Sequence, residues 1–150
     1  MNNAQSAVRV LPDEAATEAA GHALARLLRA GDVLLLEGPL GAGKTTLVRG
    51  VVAGLGGDPG EVSSPTFVLL SHYDVAAGEI RRVHHADLYR VRGRAAAPVE
   101  EIGLAEVMDD PEGVTAVEWP AGWEWRAGRG RVIRIQLAFE GEGRRLWVSF

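Results

Sequence analysis

Residues 38–45 read Gly38-Pro39-Leu40-Gly41-Ala42-Gly43-Lys44-Thr45, a full match to the phosphate-binding pattern G-x-x-x-x-G-K-[ST]. No other stretch constrains the fold as much, because the pattern works only as a loop between a strand and the first turn of a helix. Both flanks fit. Upstream, Asp32-Val33-Leu34-Leu35-Leu36-Glu37 is a short apolar run of the kind expected from a strand covered on both faces. Downstream, Leu47, Val48, Val51, Val52 and Leu55 recur at helical spacing, and Gly56-Gly57 supplies the stop. Lys44 is also the only lysine in the chain; the other 15 basic residues are arginine. A compact ammonium on a flexible stem reaches between phosphates where a planar guanidinium is poorly suited.

The chemistry follows from the backbone. Glycines at 41 and 43 let the chain curl so that successive N–H groups point inward, and the start of the helix adds its positive dipole end to the same cavity. Leu40, Gly41, Ala42, Gly43, Lys44, Thr45 and Thr46 are therefore the nucleotide-binding candidates. The Thr45 hydroxyl is positioned to ligate magnesium, and Thr46 adds a donor near the α-phosphate. Pro39 has no N–H to give, but it precedes the cradle. Enzymes of this design also need an acidic group near the metal, supplied at the end of an apolar parallel strand. Val114-Thr115-Ala116-Val117-Glu118 has that form and makes Glu118 the first candidate, the plain alternative being a solvent-facing glutamate at a strand end. Asp87, in His84-His85-Ala86-Asp87-Leu88-Tyr89-Arg90, is the second, with a helix cap as its plain alternative.

At 150 residues, 47% apolar and 24% charged, the chain reads as one domain, 1–150, with a real core. No apolar run approaches the ~20 residues needed to span a bilayer, and the N-terminus lacks a basic-then-apolar signal, so a cytoplasmic protein is expected. The absence of cysteine excludes disulfides, thiolate metal sites and cysteine nucleophiles. A net charge of −4 argues against a general nucleic-acid platform. The expected architecture is α/β: a three-layer sandwich of the P-loop NTPase kind with a mixed, largely parallel central sheet. Further strands are expected at Val8–Leu11, Phe67–Tyr73, Ile80–His85, Val132–Leu137 and Leu146–Phe150. The second and third of these flank a turn at Ala77-Gly78, as in a hairpin. Helices are expected from Asp13, with Ala20, Leu24, Leu27 and Leu28 on one face and Gly31 at its end, and over Glu100–Met108.

Taken in series, Gly38 to Thr46, Ser64-Pro65-Thr66-Phe67, His85-Ala86-Asp87-Leu88-Tyr89-Arg90, Glu100-Glu101-Ile102-Gly103-Leu104 and Glu118-Trp119-Pro120 resemble the bacterial TsaE family, from Leu11 to about Pro120. That resemblance implies a magnesium-dependent ATPase required for making threonylcarbamoyladenosine (t6A) in tRNA, working with the TsaB and TsaD proteins. Contact with tRNA would come through that complex. It implies catalytic roles for Lys44, Asp87, Glu118 and Thr66, metal ligation by Thr45 and Glu118, and nucleotide binding near the base by Glu14 and Thr17. Thr66 resembles a switch-like position near the γ-phosphate. Two departures stand out: Pro39 where the family usually has aspartate, and Ala86 where it usually has phenylalanine.

Other readings are a small-molecule kinase, for which 150 residues leave little room for lid and acceptor pocket, and a non-catalytic ATP-binding module. A GTP switch would need a second lysine in its guanine-reading motif, although Asp110-Pro111-Glu112-Gly113 fits D-x-x-G. His72, His84 and His85 fit no zinc spacing, and magnesium prefers oxygen ligands. Arg81, Arg82, Arg90, Arg92 and Arg94 form a basic stretch, either a solvated face or a surface for an acidic partner or tRNA phosphates. Trp123, Trp125 and Trp147 read as packing or partner-facing residues, and Glu142 to Arg145 as a charged turn.

Overall fold

The computed structural model describes residues 6–63, 69–93, 103–125 and 130–150. Among these residues seven strands make one sheet: β1 (Ser6–Leu11), β2 (Val33–Glu37), β3 (Leu70–Ala77), β4 (Ile80–Asp87), β5 (Gly113–Glu118), β6 (Val132–Glu140) and β7 (Gly143–Ser149). Their order is β1-β7-β6-β2-β5-β4-β3. β6, β2, β5 and β4 are mutually parallel, and antiparallel pairings add β7 and β1 on one side and β3 on the other. The sheet is thus mixed as expected, with its parallel part at the centre. β2 sits mid-sheet, and Val33 to Leu36 are all 0% exposed. Such burial on both faces is what an unbroken apolar run requires.

Leu34 and Leu36 point to the larger core, covered by α1 (Glu14–Ala25) and α2 (Lys44–Gly54). Val33 and Leu35 point to a smaller one with Ala86, Leu88, Leu104 and Val117. The covering on that side is thin: α3 (Leu104–Met108) and the irregular stretches carrying Val91, Trp119, Trp123 and Trp125. Trp125 Nε1 donates to Pro120 O at 2.7 Å, so Trp123 and Trp125 take the packing role. Trp147 is half-buried on β7 under the Arg145 guanidinium.

Asp13 caps α1 by accepting from Ala16 N at 2.8 Å. The helix ends earlier than expected, at Ala25, where Leu27 N and Leu28 N turn to the Leu24 and Ala25 carbonyls. This shortening buries Leu28 and leaves Leu27 56% exposed, off the face it was expected to share. α2 closes with Gly56 N on Ala53 O and Gly57 N on Val52 O, with Gly56 at φ 82°, so Gly56-Gly57 is indeed its stop. The two helices touch backbone to backbone. A Cβ on Gly50 would lie 2.0 Å from Glu18 O, and one on Gly21 would lie 2.2 Å from Leu47 O. No rotamer relieves such an overlap, so glycine is required at both positions for this approach.

The β3–β4 hairpin is present, turning at Gly78, and β4 runs two residues beyond the expected end to include Asp87. Its expected start at Phe67 and the Glu100–Ile102 part of the expected helix lie outside the described residues. The expected charged turn is corrected: β6 and β7 pair out to Glu140↔Gly143, so Arg144 and Arg145 belong to a strand. Among the described residues no helix is long and apolar enough to cross a membrane.

Asp110, in the D-x-x-G match, lies at the end of β5 opposite Glu118. It accepts from Arg82 Nε at 2.7 Å and contacts His84 Nε2 at 2.8 Å, while His84 Nδ1 meets His72 Nδ1 at 2.7 Å. The Arg82 guanidinium holds the Asp110 carboxyl well below the usual carboxylate range, and burial pushes the His84 imidazole below its ordinary value. A depressed carboxyl contributes stability that is present above its unfolded value and lost as pH falls through the folded one. A histidine held neutral also weakens the fold in acid, because the unfolded chain takes up the proton first. The melting temperature is therefore expected to decline below about pH 6.5 and further below about pH 4. Asp110→Asn should melt lower than the parent at pH ~7, with the gap narrowing below pH ~4; thermal melts showing a constant gap would contradict this.

Candidate nucleotide site

The carboxyl ends of β2, β4 and β5 and the amino ends of α1 and α2 meet at one cleft of about 690 Å³. Open sheets of this kind bind ligands at that edge. Leu40, Gly41, Ala42, Gly43, Lys44, Thr45, Thr46, Asp87, Glu118, Glu14 and Thr17 all line it. Thr66 lies outside the described residues.

The loop after β2 curls through Gly38, Gly41 and Gly43, with φ of 155°, 78° and 102°. Gly43 is the residue before α2, in a left-handed conformation that a side chain resists, and Thr17 Cγ2 already lies 3.3 Å from where its Cβ would be. Lys44 begins α2. Its Nζ donates back to the loop, to Gly38 O and to Pro39 O, the latter at 3.1 Å, and lies 3.8 Å from the centre of the Trp119 ring. Pro39 therefore contributes a carbonyl although it has no N–H. Burial pushes the Lys44 ammonium's pKa down, against the opposing pull of the Glu118 and Asp87 charges.

Glu118 ends β5 with its side chain almost fully buried, which sets aside a solvent-facing glutamate. Thr45 Oγ1 donates to both of its oxygens, at 2.9 and 3.1 Å. A hydroxyl and a carboxylate beside a helix start form the all-oxygen donor set that suits a hard cation such as magnesium. The parallel register of β4 on β5 brings Asp87 level with Glu118. Asp87 also accepts from Tyr89 N at 3.0 Å, closing the turn after β4. Ala86, in the place of the family's usual phenylalanine, is fully buried in the smaller core and leaves this pairing in register.

Trp119 follows Glu118 at φ 62°, the one non-glycine with positive φ among the described residues. A tryptophan held there costs about 1–3 kcal/mol of backbone strain. It packs against Tyr89, with ring centres 4.9 Å apart.

The cleft also takes in residues that the sequence reading left out. Arg144, from β7, reaches it by donating to Gly41 O at 3.1 Å, alongside Glu142 and Gly143. Tyr89 and Arg90 line the cleft as well. The arginine stretch is not one surface: Arg90 faces the cleft, Arg92 lies 3.4 Å over the Tyr89 ring, and Arg82 is paired with Asp110. Arg94 lies outside the described residues. His72, His84 and His85 form no metal-binding group with other residues among those described.

A curated tRNA threonylcarbamoyladenosine biosynthesis protein TsaE from Synechocystis sp. is 43% identical over 110 residues, 73% of this chain and 68% of that protein. One from Streptomyces coelicolor is 44% identical over 102 residues, 68% of this chain and 66% of that protein. The chain thus aligns with about two thirds of the length of each. The crystal structure of Bacillus subtilis YdiB superposes with a TM-score of 0.69 at 24% identity, covering 99% of this chain and 88% of that one, which speaks for a shared fold. The family profile described as threonylcarbamoyl adenosine biosynthesis protein TsaE matches residues 11–146, and the chain belongs to that family.

Proposed function

We propose that this protein is a magnesium-dependent ATPase that serves t6A formation in tRNA together with TsaB and TsaD. The observation that carries the reading is the contact of Thr45 with both oxygens of Glu118 at the head of α2, directly beside Lys44. A phosphate-binding loop, a hydroxyl and a buried carboxylate in one place are the parts needed to hold a nucleotide triphosphate with its metal.

In this reading the loop amides hold the β-phosphate. Lys44 leaves the Gly38 and Pro39 carbonyls and takes the β- and γ-phosphate oxygens as its new partners. A magnesium ion held on the Thr45 and Glu118 side would neutralise charge on the same oxygens. Asp87, level with Glu118, or Thr66 orients the attacking water, while Glu14 and Thr17 flank the base end. Catalysis is then positioning and charge stabilisation, with little covalent chemistry left to the protein. Turnover by the lone subunit is expected to be slow and to depend on partners. Contact with tRNA is assigned to the complex.

Phosphate release from ATP, measured with magnesium for the protein alone and with TsaB, TsaD and tRNA, tests this. Release that rises with the partners is the expected result. ATP bound without release under every condition would overturn the ATPase reading in favour of a non-catalytic module, and transfer of the phosphoryl group to an acceptor other than water would make the protein a kinase.

A further inference from the structure

Behind Glu118 lies a buried chain of side chains that the reaction as described does not use. His85 is 0% exposed. Its Nε2 is 2.6 Å from Glu118 Oε2, and its Nδ1 is 2.9 Å from the Tyr73 hydroxyl, which is itself buried. The topology brings them together. His85 shares a face of β4 with Asp87, two residues on; β4 lies parallel to β5, which ends in Glu118, and antiparallel to β3, which carries Tyr73.

We propose that His85, steadied by Tyr73, is a positioning residue that holds the Glu118 carboxylate in place for a divalent cation beside a bound nucleotide. With a neutral ring one arrangement satisfies every group: the Tyr73 O–H donates to Nδ1, and Nε2–H donates to Glu118 Oε2. Among the described residues, two anchor Glu118 in the free protein, His85 and Thr45. They are not equivalent. The Thr45 oxygen keeps its lone pairs for a cation while its proton stays on Glu118, so that residue serves the metal and the carboxylate together. His85, bound to Tyr73 through its other nitrogen, acts on the carboxylate alone and fixes its orientation. Partners behind a metal ligand characteristically set both its orientation and its basicity.

This inference rests on the nucleotide-site reading, and its test separates the two. Binding of a non-hydrolysable ATP analogue, AMP-PNP, is measured by calorimetry with magnesium and again with EDTA, for the parent, His85→Leu, His85→Gln and Tyr73→Phe. In EDTA all four should bind alike. The gain that magnesium gives should fall about tenfold or more in His85→Leu, the range found when partners behind a metal ligand are removed. It should be largely kept in His85→Gln, whose amide N–H can reach the same carboxylate oxygen, and should fall by a smaller factor in Tyr73→Phe. A His85→Leu protein that keeps the full magnesium gain overturns the inference. So does one that loses affinity equally with and without magnesium, since His85 would then only support the core. Should that variant fail to fold, Tyr73→Phe decides, and an undiminished gain there overturns the inference. A parent protein without any magnesium gain overturns the site reading itself and this inference with it.

Discussion

Replacing Lys44 with alanine is expected to leave the protein folded and to weaken ATP binding by about ten- to a hundredfold, the value of one charge-assisted hydrogen bond of 1.5–3 kcal/mol. The two halves of this expectation have separate causes. In the free protein the ammonium is buried and its pKa is depressed by that burial, so the fold bears a desolvation cost that alanine removes. The Gly38 and Pro39 carbonyls lose a donor, but Gly38 is part-exposed and Pro39 exposed, so water can replace it. Stability should therefore change little. The ligand has no such substitute, because no other lysine exists in the chain and an arginine at this position would present a planar fork to a gap that takes a point charge. Turnover should fall further than binding, since charge on the transferring group grows in the transition state. Thermal melts, calorimetric ATP titrations and phosphate release on one preparation check all three points. A variant that binds ATP as tightly as the parent would remove Lys44 from the site.

Glu118→Gln should give a different pattern. The amide keeps the shape and can still accept from Thr45, but it removes a negative charge that lies close to Lys44. Nucleotide binding without metal should hold or tighten, because the phosphates lose a repelling neighbour. Turnover with magnesium should fall at least about a hundredfold, the lower end of what a positioned carboxylate contributes. The informative quantity is the ratio of the two effects. If binding in EDTA drops as steeply as turnover, Glu118 holds the loop in shape and has no metal-side part.

What could be read from the chain alone follows how local each feature is. The loop, its lysine and its threonine lie within eight consecutive residues, so their geometry is set by glycines and a helix start that are visible in the sequence. Glu118 and Asp87 were legible for a related reason: Glu118 ends an apolar run, Asp87 follows a candidate strand, and parallel strands bring such ends to one edge. Arg144 was not legible, since it meets Gly41 only after the β6–β7 hairpin has folded, 103 residues away in sequence. In the sequence His85 presents itself only as a metal ligand without a zinc spacing. Its contact with Glu118 depends on which face of β4 it takes, and a strand buried on both faces carries no alternation from which to read that. Leu27 shows the same limit within a helix. The apolar spacing continues past Ala25, whereas the backbone bonds tighten there to span three residues in place of four.

The glycine contact between α1 and α2 bears on how the cleft can move. With Gly50 against the Glu18 carbonyl and Gly21 against that of Leu47, the two helices cannot slide or pivot without driving main chain into main chain. Asp13, Glu14 and Thr17 at one helix head and Lys44, Thr45 and Thr46 at the other are thus mounted on a single rigid block. The opposite rim is held differently: Trp119, Tyr89 and Arg144 reach the cleft as side chains, fixed by ring stacking, by Arg92 over the Tyr89 ring and by Arg144 donating to the Gly41, Glu142 and Gly143 carbonyls. An arriving nucleotide meets one jaw already set by main chain, so among the described residues a grip that tightens on the ligand comes from the side chains of Trp119 and Arg144.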